Sequence, residues 1–93
     1  MSVKIRHEAT RYVAYLDGDE IGELAYSRSR DLVTALHTEV AEAAEGRGVG
    51  SALAQTFLED TRSAGLRVVP LCPFVRGWIE KHPEYADLVR SGT

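Results

Sequence analysis

The sequence predicts an α/β (α+β) fold: a mixed β-sheet of about five strands, in the chain order β-β-β-β-α-β-α, with helices covering the sheet. Three observations predict it. Apolar and polar residues alternate in short runs up to Val40, the apolar spacing turns helical from Val49, and the glycine-rich stretch Glu45-Gly46-Arg47-Gly48-Val49-Gly50-Ser51 joins the two regimes.

Each element has its own signal. Val3 to His7 alternates as a first strand, and Arg11 to Leu16 is a second run rich in Tyr and Val. Asp17-Gly18-Asp19 marks a hairpin, because glycine accepts a positive φ. Ile21 to Tyr26 is the third strand, with Gly22 marking a bulge, and Ser27 to Asp31 is a polar turn. Leu32 to Val40 is the fourth strand. Strict alternation puts Leu32, Thr34, Leu36, Thr38 and Val40 on one face, and Val33, Ala35, His37 and Glu39 on the other. From Val49, the positions Leu53, Phe57 and Leu58 follow helical spacing, and Gly65 stops that helix in a left-handed conformation. Arg67 to Leu71 is a short fifth strand. Phe74, Val75, Trp78 and Ile79 space as a second helix that ends at His82-Pro83, and a last turn holds Tyr85 and Leu88. A strand, a helix and a strand from Leu32 to Leu71 make a right-handed crossover with parallel strands.

The chain of 93 residues reads as one domain, residues 1–93. It carries 11 Lys+Arg against 14 Asp+Glu, a net charge of −3 with no basic cluster, which argues against nucleic acid as a partner. The opening Met1-Ser2-Val3-Lys4 lacks the apolar stretch of a signal peptide, and no apolar run approaches membrane-spanning length. Cys72 is the single cysteine, so no intrachain disulfide forms and a cytoplasmic location is expected.

The glycine turn is the most informative segment. Backbone N–H groups converge there at a helix start, where the helix dipole adds positive potential, so the turn suits a pyrophosphate; Arg47 would add a charge-assisted contact. The P-loop template fails for want of a Lys, and the dinucleotide fingerprint fails at its third small residue. A plain chain reversal would use the same glycines.

Together with His37-Thr38-Glu39-Val40, Val68-Val69-Pro70-Leu71-Cys72-Pro73-Phe74-Val75 and His82-Pro83-Glu84-Tyr85, this turn resembles the Gcn5-related N-acetyltransferase superfamily, in particular its small single-domain YjdJ-like branch. The resemblance runs from Leu32 to Val89. It implies an acetyl-CoA site, with the pyrophosphate on Gly46, Arg47, Gly48, Val49, Gly50 and Ser51. The pantetheine arm would lie between the fourth and fifth strands near Thr38 and Val40, and Pro73 and Phe74 complete the implied binding residues. Glu45 stands where the superfamily motif opens with Gln or Arg. Larger relatives continue into further strands with acceptor contacts that have no matching positions here.

Pro70 fits the pantetheine reading independently, since a proline cannot donate a ladder hydrogen bond and suits a strand parting from its neighbour; an edge strand, or one that ends at Pro70, would use the same proline. Two chemistries follow. Cys72, at a helix start where the reactive thiolate is favoured, is a candidate nucleophile for an acyl-enzyme, with His37 as its base or orienting group; its plainer role is packing between strand and helix. Alternatively His37 or Glu39 takes the proton of an acceptor amine that attacks directly, a backbone N–H near Val40 holds the oxyanion, and Tyr85 protonates the departing thiolate. No ligand spacing suggests a metal site. The sequence thus predicts an acetyl-CoA-dependent N-acetyltransferase acting on a small amine or a protein. The alternative is a non-catalytic CoA-binding or protein-interaction module.

Overall fold

The computed structural model describes residues 3–90. Residues 1–2 and 91–93, which belong to the single domain read from the sequence, lie outside the described residues. Five strands form one sheet in the spatial order of the chain: β1 (Lys4–Glu8), β2 (Arg11–Leu16), β3 (Asp19–Ser29), β4 (Leu32–Val40) and β5 (Arg67–Pro70). The first four strands pair antiparallel and β5 runs parallel to β4, as a strand reached through a helix must. That helix is α1 (Val49–Ser63), preceded by a 3-10 turn at Glu42–Ala44. After β5 come α2 (Pro73–Lys81) and a 3-10 helix at Pro83–Leu88. The predicted mixed sheet and element order are therefore found.

Local chemistry explains the turns. β2 and β3 are joined by Asp17 (φ 52°) and Gly18 (φ 86°), the positive pair whose twist matches a tight hairpin. At the end of α1, Gly65 has φ 72° and the Leu66 N–H donates to the Thr61 carbonyl at 3.0 Å, closing the helix as predicted.

The polar turn predicted at Ser27 to Asp31 is shorter than expected. β3 continues through Ser29, pairing Ser27, Arg28 and Ser29 with Thr34, Val33 and Leu32, and only Arg30-Asp31 turns. Ladder hydrogen bonds to β4 override the low strand propensity of these side chains.

One layer of helix covers one face of the sheet. Tyr12, Ala14 and Leu24 meet Leu53, Phe57 and Leu58 of α1 and Val75, Trp78 and Ile79 of α2 in a single buried cluster. The opposite face carries charged side chains from β2, β3 and β4. Val13 is buried on it, apart from that cluster, directly opposite Glu23 and one row from Arg11.

Two bulges break the ladders. In the β2–β3 pair, Ala14 faces Gly22 and Tyr15 faces Glu20, so Ile21 is extra, beside the glycine that signalled it. In the β3–β4 pair, Ala25 faces His37 and Tyr26 faces Ala35, which leaves Leu36 as the extra residue. The second bulge corrects the predicted faces of β4. Val33 and Ala35 point into the core, but beyond Leu36 the phase shifts, so Thr38 and Val40 turn inward opposite Leu24 and Gly22. His37 and Glu39 then lie on the open face, away from Ala35.

Candidate active site

The site begins where β4 and β5 part. Their ladder runs Leu32↔Arg67, Val33↔Val68, Thr34↔Val69 and Ala35↔Pro70, and then stops. The Cys72 N–H donates to the Ala35 carbonyl at 3.0 Å, and the chain turns into α2. From His37 to Val40, β4 keeps β3 on one side and, among the described residues, has no strand on the other. A proline ends the ladder on one strand, and the bulge bends the other at the next residue.

This open edge leads to the glycine turn. Gly46 and Gly48 hold φ of 81° and 79°, conformations that cost an L side chain energy, with open space where a Cβ would stand. Gly48 caps α1, and no side chain caps it. The first helical bond runs from the Ala52 N–H to the Gly48 carbonyl at 3.0 Å, so the N–H groups of Val49, Gly50 and Ser51 precede the helical ladder and face out of the helix end. Val40, Gly46, Gly48, Val49, Gly50, Ser51 and Phe74 line one groove of about 280 Å³, together with Ala44 and Glu45.

Gly50 has a different role from its neighbours. A Cβ there would meet the Phe74 ring at 2.8 Å, so this glycine lets α2 approach α1. Ser51 is oriented by Trp78, whose Nε1–H donates to the Ser51 hydroxyl oxygen at 3.1 Å, leaving the hydroxyl proton for another acceptor. Pro73 occupies the first position of α2, exposed beside Phe74. Arg47 is placed apart from the groove: it lines an adjacent apolar hollow of about 440 Å³ with Val3, Leu16, Ile21 and Ala41.

The reactive candidates separate into two groups. Cys72 is 2% exposed within the core cluster, and its Sγ lies 3.4 Å from the Thr38 Oγ1 on the helix-covered face. His37 is exposed on the other face, with Nε2 3.0 Å from the Glu23 Oε2. The predicted pairing of Cys72 with His37 is therefore corrected; the bulge at Leu36 puts them on opposite faces, and Thr38 is the thiol's partner. Glu39 is also on the open face, directly opposite Glu23. Tyr85 is buried against α1 and donates to Glu59, which raises its pKa and ties up the proton a leaving thiolate would need.

Two residues of this cluster escaped sequence reading. Glu23 receives His37 on one oxygen and the Arg11 guanidinium on the other, at 2.7 Å, and both interactions hold its carboxyl below the usual range. The only sequence signal was the alternation of Glu23 in β3. Its partners are set by two long-range registers.

A family model described as GCN5-related N-acetyl-transferase matches residues 11–88. The chain belongs to the GCN5-related N-acetyltransferase family. Solved structures share its fold. A GCN5-like protein from Staphylococcus aureus shares 22% identity over 97% of this chain and 90% of that one, with a TM-score of 0.76. A GNAT-family acetyltransferase from Brucella melitensis, solved in complex with acetyl-CoA, shares 29% identity over 66% of this chain and 44% of that one, at 0.59. A ribosomal-protein-alanine N-acetyltransferase from Brucella melitensis biovar Abortus shares 16% identity over 89% and 62%, at 0.62. The chain thus spans nearly all of the first of these N-acetyltransferase-fold structures, and less than two thirds of the other two. No curated protein matches it.

Proposed function

We propose that this protein transfers the acetyl group of acetyl-CoA to a primary amine, borne by a small molecule or by a protein. One observation carries the reading: the unpaired edge of β4 ends at Val40, which lines the same groove as the uncapped start of α1. An extended chain with amide groups can pair with such an edge as a strand would. A diphosphate at its end meets three N–H groups and the positive end of the helix dipole. Coenzyme A has those two parts in that order. The structure in complex with acetyl-CoA among the similar proteins supports the same ligand.

In this reading Gly46 and Gly48 keep the turn clear of Cβ atoms, and the Val49, Gly50 and Ser51 N–H groups bind the diphosphate. Thr38 and Val40 flank the pantetheine arm, while Pro73 and Phe74 form the opposite wall. Arg47 lines the adjacent hollow and adds positive charge beside the diphosphate. The acceptor approaches over the open face, where His37 and Glu39 lie in reach of its ammonium proton. Cys72 faces the other way, buried against Thr38, so direct attack by the amine is favoured over an acyl-enzyme. A free buried thiol suits the reducing cytoplasm.

Calorimetric titration with acetyl-CoA is the test. Binding accompanied by CoA release in the presence of primary amines supports catalysis. Binding without release from any amine supports a CoA-binding module without turnover. No binding removes both readings.

A further inference from the structure

We infer that Glu23, clamped by Arg11, is a positioning residue that sets the His37 ring with its proton on Nε2, so that Nδ1 is the nitrogen offered to an acceptor amine. The inference rests on the acetyltransfer reading and goes beyond it, because it names a residue pair, a tautomer and a division of labour.

The argument starts from register. Arg11, Ala25 and His37 form one row across β2, β3 and β4, since Arg11 pairs with Ala25 and Ala25 with His37. Glu23 lies two residues along β3 on the same face, so it is diagonal to both. The small side chain of Ala25 leaves room for its two neighbours to lean toward Glu23. They divide its carboxylate: Oε1 accepts from the Arg11 guanidinium at 2.7 Å and Oε2 meets the His37 Nε2 at 3.0 Å. Arg11 is itself held by Glu20 at 3.1 Å and by Glu8 at 3.7 Å. Glu23 is thus fixed from both sides.

The tautomer follows from hydrogen-bond chemistry. An ionised carboxylate only accepts, so the nitrogen facing it carries the proton. The hydrogen bonds from His37 and Arg11 lower the pKa of Glu23 from its ordinary value and so favour the ionised form. A neutral His37 is therefore Nε2–H, and Nδ1 bears the lone pair. Among the described residues Nδ1 has no hydrogen-bond partner. When Nδ1 takes a proton, the imidazolium formed is already paired with Glu23.

The place of the pair matters as much as its chemistry. His37 follows Leu36, the bulged residue at which β5 has left β4, so it flanks the open edge on the uncovered face. Glu39 stands opposite Glu23, and two carboxylates facing each other repel unless cations intervene; Arg11 supplies one permanently and His37 a second on protonation.

The proposed step balances. An acceptor ammonium gives one proton to Nδ1 and becomes a neutral amine. Its lone pair forms the C–N bond to the acetyl carbon, and the electrons of the breaking C–S bond leave with sulfur. The nitrogen, now cationic, yields its second proton to the thiolate, giving the amide and the free thiol of CoA. His37 returns the first proton to water.

The test compares wild type with Glu23→Gln, Glu23→Asp and His37→Gln. Long-range proton–nitrogen NMR of the ring should show a single Nε2–H tautomer in the wild type, retained with Asp and lost to a mixture with Gln. With n-butylamine as the acceptor probe, His37→Gln should lower kcat by about a hundredfold. Glu23→Gln should lower it by about tenfold at unchanged acetyl-CoA KM, and Glu23→Asp should restore most of that loss. A ring spectrum indifferent to Glu23→Gln overturns the inference while leaving acetyltransfer standing. So does a Glu23→Gln enzyme of wild-type kcat. Absence of acetyl-CoA binding by calorimetry overturns the parent reading, and the catalytic part of the inference with it. The ring spectrum then judges the tautomer alone.

Discussion

Ala35 and Pro70 are the last paired residues between β4 and β5, and the residue after Ala35 is the extra residue of a bulge. The two irregularities coincide, so one point in the sheet both opens an unpaired edge and shifts the phase of the strand that bears it. The first expectation concerns this point. Deleting Leu36 removes the extra residue and puts His37 directly after the inward Ala35, so regular alternation keeps His37 and Glu39 on the open face and Thr38 and Val40 inward. With Leu36 present, a ladder without the bulge would instead bury a carboxylate and an imidazole among apolar residues, at a cost of several kcal/mol, which keeps the bulge in place. The deletion variant should therefore still unfold cooperatively, and Leu36→Ala, at an exposed bulge position, should melt close to wild type; a deletion variant without a cooperative melt would show that the bulge does more than set the phase of the strand.

The glycine turn can be tested without wrecking it. At Gly48, φ is 79° and ψ is 13°, a left-handed conformation that asparagine tolerates and β-branched residues resist. Gly48→Asn should keep the melting temperature within a few degrees and weaken acetyl-CoA binding by placing a side chain in the groove. Gly48→Val should weaken binding too, but also cost about 1–2 kcal/mol in stability. Unchanged affinity in the asparagine variant would remove the diphosphate from this turn.

Gly50 and Phe74 should be coupled. Alanine in place of a helical glycine gains up to about 1 kcal/mol, but at this half-buried position its Cβ stands 2.8 Å from the Phe74 ring. Phe74 is 42% exposed and can swing away, so Gly50→Ala alone should be near neutral. In a Phe74→Ala background the helix gain should appear in full. A double-mutant cycle by denaturant unfolding should therefore read a coupling of about 1 kcal/mol. Additive effects would mean that the ring does not rest on this glycine.

Cys72 gives the mechanistic distinction. With direct transfer, Cys72→Ala should retain most of the kcat toward n-butylamine while losing about 1–2 kcal/mol of stability from the vacated space beside Thr38. Intact mass after mixing with acetyl-CoA should show no added acetyl group of about 42 Da. An adduct at Cys72 that is consumed on adding amine would restore the acyl-enzyme route.

The Glu23 cluster predicts a pH dependence of stability. The folded-state pKa of Glu23 is depressed, chiefly by His37 and then by Arg11, and that of Asp87 is depressed by Arg62. A depressed carboxylate contributes stability that is complete above its unfolded pKa and is lost as pH falls through the folded one. The melting temperature should therefore be level near neutrality and fall below about pH 4. Glu23→Gln should flatten part of that fall, and a variant with the full wild-type slope would show that Glu23 carries none of it.

Much of this protein was legible before any coordinates. Period alone placed β2, β4 and α1, because alternation and helical spacing are properties of neighbouring residues. Local chemistry also identified the Asp17-Gly18 hairpin, the left-handed Gly65 and the proline start of α2. Sequence reading located the groove as well, because glycines with positive φ before a helix are a local motif. Only the tertiary structure decided which reactive side chains meet. His37 lies beside Glu23 rather than Cys72, and Thr38 faces the thiol, because a bulge inserts one residue into a ladder between distant segments. Arg47 turned out to line a different hollow from the glycines on either side of it. Such placements depend on the register of strands brought together from far along the chain, and a repeat of two residues carries no mark of where it will slip.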